Sequence, residues 1–186
     1  MEAHSILIYL ASAVGLFTSV FYILTILSPS RQRIHKPDPH FKPKVSIIVP
    51  IWNEGSAKGE RLKKTIQSLL ACNYPKNKLE IIIVNDGSTD NSLQLAKTYE
   101  KDGVLVLSHK KSKGKTNAIN TGMKHATGEF VAGLDADSYI EADVIDRMVP
   151  CFKNEQVMAV IPSIKIAKPK GLLQKIQFQE FLSAVF

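Results

Sequence analysis

Residues 79–90 read LEIIIVNDGSTD, and this stretch is the strongest indication of the fold. Its run of β-branched residues at 81–84 is typical of a strand that is buried on both faces of a sheet. Gly87 follows the strand and permits a tight turn, after which the segment 91–100 has a helical pattern of apolar residues. The stretch therefore predicts a strand, a turn and a helix, with polar residues where the strand ends.

The same alternation extends in both directions along the chain. Strand-like runs lie at 45–50, 79–85, 104–108, 129–137 and 157–164, and helix-like patterns lie at 61–72, 91–100, 115–126 and 142–152. Alternating strands and helices predict a mostly parallel sheet with right-handed crossovers. We therefore expect an α/β, doubly wound, Rossmann-like domain over residues 45–165, with any ligand beyond the carboxyl ends of the strands.

The segment before this domain predicts a membrane anchor. Residues 6–27 contain no charged side chain, and at ~1.5 Å per residue they span ~33 Å as a helix, enough to cross a bilayer. A cleaved signal peptide is the alternative, but Glu2 and His4 precede the run where Lys or Arg is expected. We interpret residues 1–30 as a single transmembrane helix.

Residues 31–44 are predicted to form a basic, proline-rich linker that follows the membrane. They carry several Lys and Arg residues against a single acid, Asp38, and the positive-inside rule then places the folded domain in the cytoplasm. The net charge of +7 suits a membrane surface, a phosphate-bearing substrate or nucleic acid. Because the charge clusters next to the apolar run, we expect a membrane and no nucleic acid.

Two further features concern the cysteines and the end of the chain. Cys72 and Cys151 lack metal-ligand spacing and are predicted to be reduced core residues. Residues 166–186 have the pattern of an amphipathic helix, which either lies along the membrane interface or packs against another element. The pattern runs to Phe186 without a stop signal, so we expect the natural domain to continue.

The polar residues at the strand ends carry the chemistry. They are Pro50, Trp52, Asn53 and Glu54 after the first strand, Asp86 after the second, and Asp135 and Asp137 after the fourth. In a parallel sheet these ends meet at one edge, and the two-residue spacing of Asp135 and Asp137 on a strand predicts carboxylates that point the same way. Such a pair suits Mg²⁺ or Mn²⁺, which bridges substrate phosphates.

The loop residues around these positions have alternative interpretations. Asp86 is suited to accept the N–H of a nucleobase, while Ser88 or Asp90 caps the next helix. Trp52 is either a flat platform for a nucleoside or a core residue. The basic segment 110–116 is either a phosphate site at a helix N-terminus or a solvated loop.

Two motif matches fail on inspection. The Gly-Lys-Thr triplet at 114–116 is not a Walker A loop, because His109 stands where that pattern needs glycine. The DGSTDN segment is not an EF-hand loop, because Asn91 and Lys97 stand where glycine and glutamate are required.

The segments 45–54, 81–92 and 113–138 together resemble the family 2 glycosyltransferases with a GT-A fold, most of all their membrane-bound branch of cellulose, hyaluronan, chitin and poly-N-acetylglucosamine synthases. The resemblance implies inverting transfer of a sugar from a nucleoside-diphosphate sugar, usually a UDP-sugar, to a glycan or lipid acceptor. By motif it implies a nucleoside pocket lined by Pro50, Asn53 and Glu54, a uracil contact at Asp86, phosphate contacts at Lys115 and Asp135, and a metal ligand at Asp137.

The general base that inverting transfer needs is not assigned by these motifs. The resemblance implies an Asp in a Thr-Glu-Asp or similar motif well beyond Asp137, and none occurs before Phe186. We therefore expect the donor-binding half of a glycosyltransferase. The alternative is a non-catalytic nucleotide-sugar-binding subunit whose partner chain supplies the other half. A sugar nucleotidyltransferase is excluded, because residues 50–60 lack a glycine-rich triphosphate loop.

Overall fold

A computed structural model describes residues 3–27, 38, 40–55, 59–164, 171 and 173–177. The chain divides into two units, one formed by residues 1–34 with 161–186 and the other by residues 35–160. The sheet and all the predicted site residues belong to the second unit.

In the first unit, helix α1 covers Ala3–Leu27. Its stretch Ser5–Leu24 has a mean hydropathy of 2.1 and is long and apolar enough to cross a membrane, and none of it is buried. A short helical segment lies at 173–177, with Leu173 and Ile176 exposed. Residues 31–37 of the predicted linker and most of the predicted helix at 166–186 lie outside the described residues.

The second unit alternates strands and helices as predicted. Its elements are β1 (Val45–Ile51), α2 (Glu60–Leu70), β2 (Leu79–Asn85), α3 (Ser92–Lys97), β3 (Leu105–Ser108), α4 (Lys115–His125), β4 (Phe130–Gly133) and α5 (Val144–Met148). Short 3₁₀ turns lie at Lys76–Lys78, Glu100–Asp102 and Val149–Lys153. The described strands form one parallel sheet in the order β3-β2-β1-β4, which confirms the predicted α/β fold class.

Strand β1 lies at the point where the order of the strands reverses. It pairs with β2 from Val45↔Leu79 to Ile51↔Asn85 and with β4 from Val45↔Phe130 to Ile48↔Gly133. In open α/β sheets such a reversal leaves a crevice at the carboxyl ends of the strands. The register therefore brings the residues that follow β1, β2 and β4 to the same edge.

The sheet is covered on both faces, which explains why β1 and β2 are apolar almost throughout. On one face, α2 contributes Leu62, Ile66 and Leu69, which share one side of the helix and pack against alternate residues of β1 and β2. On the other face, α4 approaches β1 so closely that a Cβ added at Gly122 would lie 2.6 Å from a methyl carbon of Ile48. Glycine is therefore required at this helix–sheet contact.

The structure differs from the predicted elements in three places. The segment 157–164 is not a strand: Met158 and Ile161 are more than 80% exposed, and an apolar run forms a strand only where a neighbour accepts its hydrogen bonds. Strand β4 ends at Gly133 rather than extending through Asp137. Both cysteines are free, but only Cys72 is buried in the core, whereas Cys151 is half-buried.

Candidate functional site

A cleft of about 400 Å³ lies at the carboxyl edge of the sheet, beside the reversal point at β1. Loops after β1, β2 and β4 and the start of α4 form its walls. The lining residues are Pro50, Ile51, Trp52, Glu54, Asp86, Ser112, Gly114, Lys115, Asp135, Ala136 and Asp137. The predicted site residues thus meet in one place, with the exception of Asn53.

The loop after β1 presents an aromatic and an acidic side chain. Trp52 is 57% exposed, so it belongs to the cleft wall and not to the core. Glu54 lies beside it in the lining, and its backbone N–H donates a hydrogen bond of 2.7 Å to Ser92 Oγ. This bond fixes the loop on the first residue of α3.

Asn53 joins two loops instead of lining the cleft. Its φ of 52° lies in the left-handed region, which asparagine tolerates better than most residues. Its side-chain oxygen accepts a hydrogen bond of 2.9 Å from the backbone N–H of Thr89, and its own N–H donates to Ser88 Oγ at 3.0 Å. Ser88 therefore binds the first loop, and Asp90 binds both that loop, by accepting from the N–H of Gly55, and the start of α3, by accepting from the N–H of Ser92.

Asp86 is a buried hydrogen-bond acceptor beneath the loop that precedes α4. Oδ1 accepts from His109 Nδ1 at 2.7 Å, and Oδ2 accepts from Ser112 Oγ at 2.6 Å. The backbone N–H groups of Lys113 and Gly114 also donate to this carboxylate, at 2.9 and 2.8 Å. Since a carboxylate offers roughly four lone-pair directions, these four donors fill its acceptor capacity.

The electrostatics of Asp86 follow from these contacts. Burial by itself raises the pKa of Asp86, but hydrogen bonds from Ser112, His109 and the backbone of residues 113 and 114 outweigh it and hold the pKa well below its usual range. Asp86 is therefore ionised at any physiological pH, and it orders the loop 109–114 against the end of β2.

His109, Ser112 and Gly87 are functional residues that the sequence analysis did not single out for these roles. His109 Nε2 lies 2.9 Å from Thr121 Oγ1 on α4, so the imidazole joins Asp86 to that helix. Gly87 has φ 67°, and a Cβ there would lie 2.5 Å from the backbone nitrogen of Ser112. No local pattern reveals these pairings, because the partners are 12 or more residues apart in the chain.

Asp135 and Asp137 lie in a turn and not on a strand, so the predicted strand geometry of this pair is wrong. The N–H of Ser138 donates to the carbonyl of Asp135 at 3.1 Å, which closes the turn. Both carboxylates still line the cleft. Asp135 Oδ1 lies 2.5 Å from Lys115 Nζ, and Asp137 forms no hydrogen bond or ion pair with the part of the chain that the structure describes.

The acidic pair fits a divalent cation that takes its remaining ligands from elsewhere. Among the described residues no group of three or more His, Cys, Asp or Glu side chains converges on one point, so a cation held entirely by protein is not expected. Mg²⁺ and Mn²⁺ bind through one or two carboxylates plus phosphate and water oxygens, and the unpaired Asp137 with the neighbouring Asp135 matches that donor set.

The chain matches known proteins over most of its length. The model of the family described as glycosyl transferase family 2 matches residues 46–181. The poly-beta-1,6-N-acetyl-D-glucosamine synthase of Staphylococcus epidermidis is 32% identical over 170 residues, which cover 90% of this chain and 40% of the synthase. The Staphylococcus aureus (strain COL) synthase of the same name is 33% identical over 143 residues, 76% of this chain and 33% of its own length.

Solved structures show the same fold. The mannosyltransferase PcManGT from Pyrobaculum calidifontis, in complex with GDP-Man and Mn²⁺, superposes with a TM-score of 0.65 at 24% identity, over 96% of this chain and 49% of that one. Staphylococcus aureus TarS 1-349, in complex with UDP-GlcNAc, superposes with a TM-score of 0.53 at 26% identity, over 68% of this chain and 37% of that one.

These matches agree with the parallel four-stranded sheet and its flanking helices. This chain spans no more than about 40% of the synthases it matches. The family match covers most of the chain, and the relatives exceed 30% identity over at least three quarters of it. The chain belongs to glycosyl transferase family 2.

Proposed function

We propose that the cleft binds a nucleoside-diphosphate sugar, specifically a UDP-sugar, as the donor for inverting transfer to a glycan or lipid acceptor at the membrane. The observation that carries this proposal is the convergence of an exposed aromatic face, Trp52, and an acidic pair, Asp135 and Asp137, in one cleft at the reversal point of the sheet. Its volume of about 400 Å³ lies within the range of small-molecule sites.

We propose that the nucleoside binds at the β1 side of the cleft. Trp52 offers a flat surface for stacking on a base or ribose, and Pro50 and Glu54 form the adjoining wall. Asp86 lines the same cleft, and we propose that the N–H of a uracil ring replaces one of the four protein donors on its carboxylate. Because its carboxylate also holds the loop 109–114, nucleoside binding and the position of that loop are linked.

We propose that the diphosphate binds between Lys115 and the acidic pair, Asp135 and Asp137. Asp135 and Asp137 are proposed to hold Mg²⁺ or Mn²⁺, which when bound neutralises charge on the diphosphate leaving group. Lys115 is 61% exposed and pairs with Asp135, so its ammonium group is available to phosphate oxygens without a large desolvation cost. Asn53 supports the site indirectly by fixing the loop that carries Trp52.

The acceptor is proposed to lie at a membrane surface on the cytoplasmic side. Helix α1 is apolar and long enough to anchor the chain, and the relatives named above are polysaccharide synthases. None of the cleft carboxylates is assigned as the general base. We therefore propose donor binding as the activity of residues 1–186 alone. For sugar transfer, we propose that the general base comes from outside these residues, either in the same protein or in a partner chain.

Calorimetric titration of UDP into the full chain in detergent micelles tests the proposal. We expect UDP to bind with Mn²⁺ present and far more weakly with the metal chelated. Asp137→Ala should abolish the metal-dependent part, whereas Glu141→Ala should leave it unchanged, because Glu141 is an exposed acid of the same segment that does not line the cleft. A folded chain that binds no UDP would overturn the proposal.

A further inference from the structure

Helix α2 holds the segment that carries the acidic pair. Thr65 lies in the middle of α2 and is fully buried. Its hydroxyl lies 2.8 Å from the backbone carbonyl of Ala136, the residue between Asp135 and Asp137, and the contact is itself buried. The turn that presents both carboxylates to the cleft is therefore attached to the core at its central residue.

The hydroxyl of Thr65 has one proton and two acceptors within reach. The carbonyl of Arg61, one turn earlier in the helix, is 3.1 Å away, whereas that of Ala136 is 2.8 Å away. A helical carbonyl already accepts a backbone hydrogen bond, but no other described donor serves Ala136. Since Ala136 is only 6% exposed, loss of this hydroxyl leaves a buried acceptor without a partner.

Further hydrogen bonds attach the same segment on either side of Ala136. Ser68, which follows Thr65 on α2, accepts from the N–H of Ile140 at 3.2 Å. At the other end, the N–H of Leu134 donates to the carbonyl of Ile48 in β1 at 3.0 Å. The backbone of the turn is thus fixed before, at and after the acidic pair, while the carboxylates themselves are exposed.

We propose that Thr65, assisted by Ser68, is a positioning residue for Asp135 and Asp137: it sets the spacing and direction of the two carboxylates toward a divalent cation shared with the donor diphosphate. This inference rests on the proposed function. Thr65 touches neither cation nor nucleotide, because it lies in the core and is not among the residues that line the cleft.

The expected size of the effect follows from other metal sites. Outer residues that orient metal ligands change metal affinity by about 10- to 100-fold when they are removed. The loop of Trp52 and Glu54 is fixed separately, through hydrogen bonds to Ser88 and Ser92. Loss of the Thr65 hydroxyl should therefore weaken the metal-dependent part of UDP binding and leave the metal-free part intact.

The test compares Thr65→Val with Thr65→Ser in the full chain in detergent micelles. Valine keeps the shape and the branched Cβ without the hydroxyl, and serine keeps the hydroxyl. For each variant, UDP affinity is measured by calorimetry with Mn²⁺ and with the metal chelated, alongside the unfolding midpoint. Mn²⁺ should raise the affinity for UDP by a certain factor in the unsubstituted chain. We expect this factor to be about tenfold smaller in Thr65→Val and unchanged in Thr65→Ser.

Other outcomes separate this inference from the proposed function. Equal losses with and without Mn²⁺, or no loss in a folded Thr65→Val chain, would overturn the positioning role. If Thr65→Val does not fold, Ser68→Ala takes its place. We expect Ser68→Ala to lower UDP affinity by a smaller factor than Thr65→Val, and only when Mn²⁺ is present. If Mn²⁺ raises UDP affinity in Ser68→Ala as much as in the unsubstituted chain, the positioning role is overturned. If the unsubstituted chain binds UDP equally with and without Mn²⁺, the metal site of the proposed function fails and this inference fails with it.

Discussion

The two edges of the sheet use polar residues in opposite ways. At the amino edge, Ser46 donates to the Glu80 carboxylate, which also accepts from the backbone N–H and the hydroxyl of Thr127 at 2.9 Å. The N–H of Gly128 donates to Ser46 Oγ at 2.8 Å. These groups satisfy one another.

At the carboxyl edge the carboxylates of the acidic pair, Asp135 and Asp137, are exposed to solvent. The side chain of Asp135 is 58% exposed, and Asp137 has no partner among the described residues. Buried polar groups that satisfy one another hold a fold together, whereas solvent-exposed carboxylates are available to a ligand. We therefore propose that the amino edge supports stability and that the carboxyl edge supports binding.

Asp86 differs from the acidic pair. It lies at the carboxyl edge, yet its carboxylate is fully hydrogen-bonded by other residues of the chain. Asp86→Asn replaces one acceptor oxygen by an NH₂ group that faces other donors. Each buried donor that loses its acceptor costs about 1–3 kcal/mol, and several donors share this carboxylate, so we expect a large fall in the free energy of unfolding, measured by urea denaturation, together with loss of UDP binding. Asp102→Asn, at an exposed position, is the control. An unchanged midpoint would contradict the loop-ordering role of Asp86.

Glu80→Ala should affect stability alone. The substitution leaves the hydroxyl of Ser46, which is fully buried, and the N–H of Thr127 without their acceptor, and we expect a cost of about 1–3 kcal/mol in urea denaturation. The affinity for UDP in the presence of Mn²⁺ should not change. Glu100→Ala, an exposed acid in a 3₁₀ turn, should change neither property. A loss of UDP affinity in a folded Glu80→Ala chain would contradict the assignment of stability to the amino edge and of binding to the carboxyl edge.

Tyr74→Phe should lower the free energy of unfolding less than Asp86→Asn and Glu80→Ala do. The phenol donates a hydrogen bond of 2.6 Å to the carbonyl of Pro43, just before β1, and its loss costs about 1 kcal/mol near neutral pH. Burial, reinforced by the negative charges of Asp146 and Glu129, raises the pKa of Tyr74 to about 12.

The sign of the pH dependence follows from this shift. The unfolded phenol ionises near pH ~10, so the stability due to the neutral folded phenol is complete below that pH and is lost as the pH rises through about 12. Urea denaturation across this range should show the fall in the unsubstituted chain and in Tyr139→Phe, which changes an exposed tyrosine. Tyr74→Phe should lack it, and an unaltered alkaline fall in Tyr74→Phe would contradict the assignment.

Much of the fold follows from patterns that neighbouring residues carry. The apolar runs of β1 and β2 and the spacing of Leu62, Ile66 and Leu69 on α2 depend on local periodicity, so the parallel sheet and its cleft could be predicted. The strand at 157–164 could not be excluded, because an apolar run does not reveal whether a neighbouring strand is available to pair with it.

The details of the site depend on contacts between distant residues. The turn that follows β4 is bound by Thr65, about 70 residues earlier in the chain. The roles of Asn53 and Asp86 likewise depend on partners in other loops. Residue type alone assigned both side chains to the donor site, whereas their partners show that both organise loops around the cleft and that Asn53 does not line it.

The central claim, that the donor binds at the carboxyl edge, is tested most directly through Trp52, the one tryptophan in the sequence. Its fluorescence can be followed as UDP is titrated into the full chain with Mn²⁺. We predict a saturable change in emission that occurs at the same UDP concentrations as the calorimetric signal and is absent from Asp137→Ala. Calorimetric binding without any change in Trp52 emission would place UDP elsewhere and contradict the account.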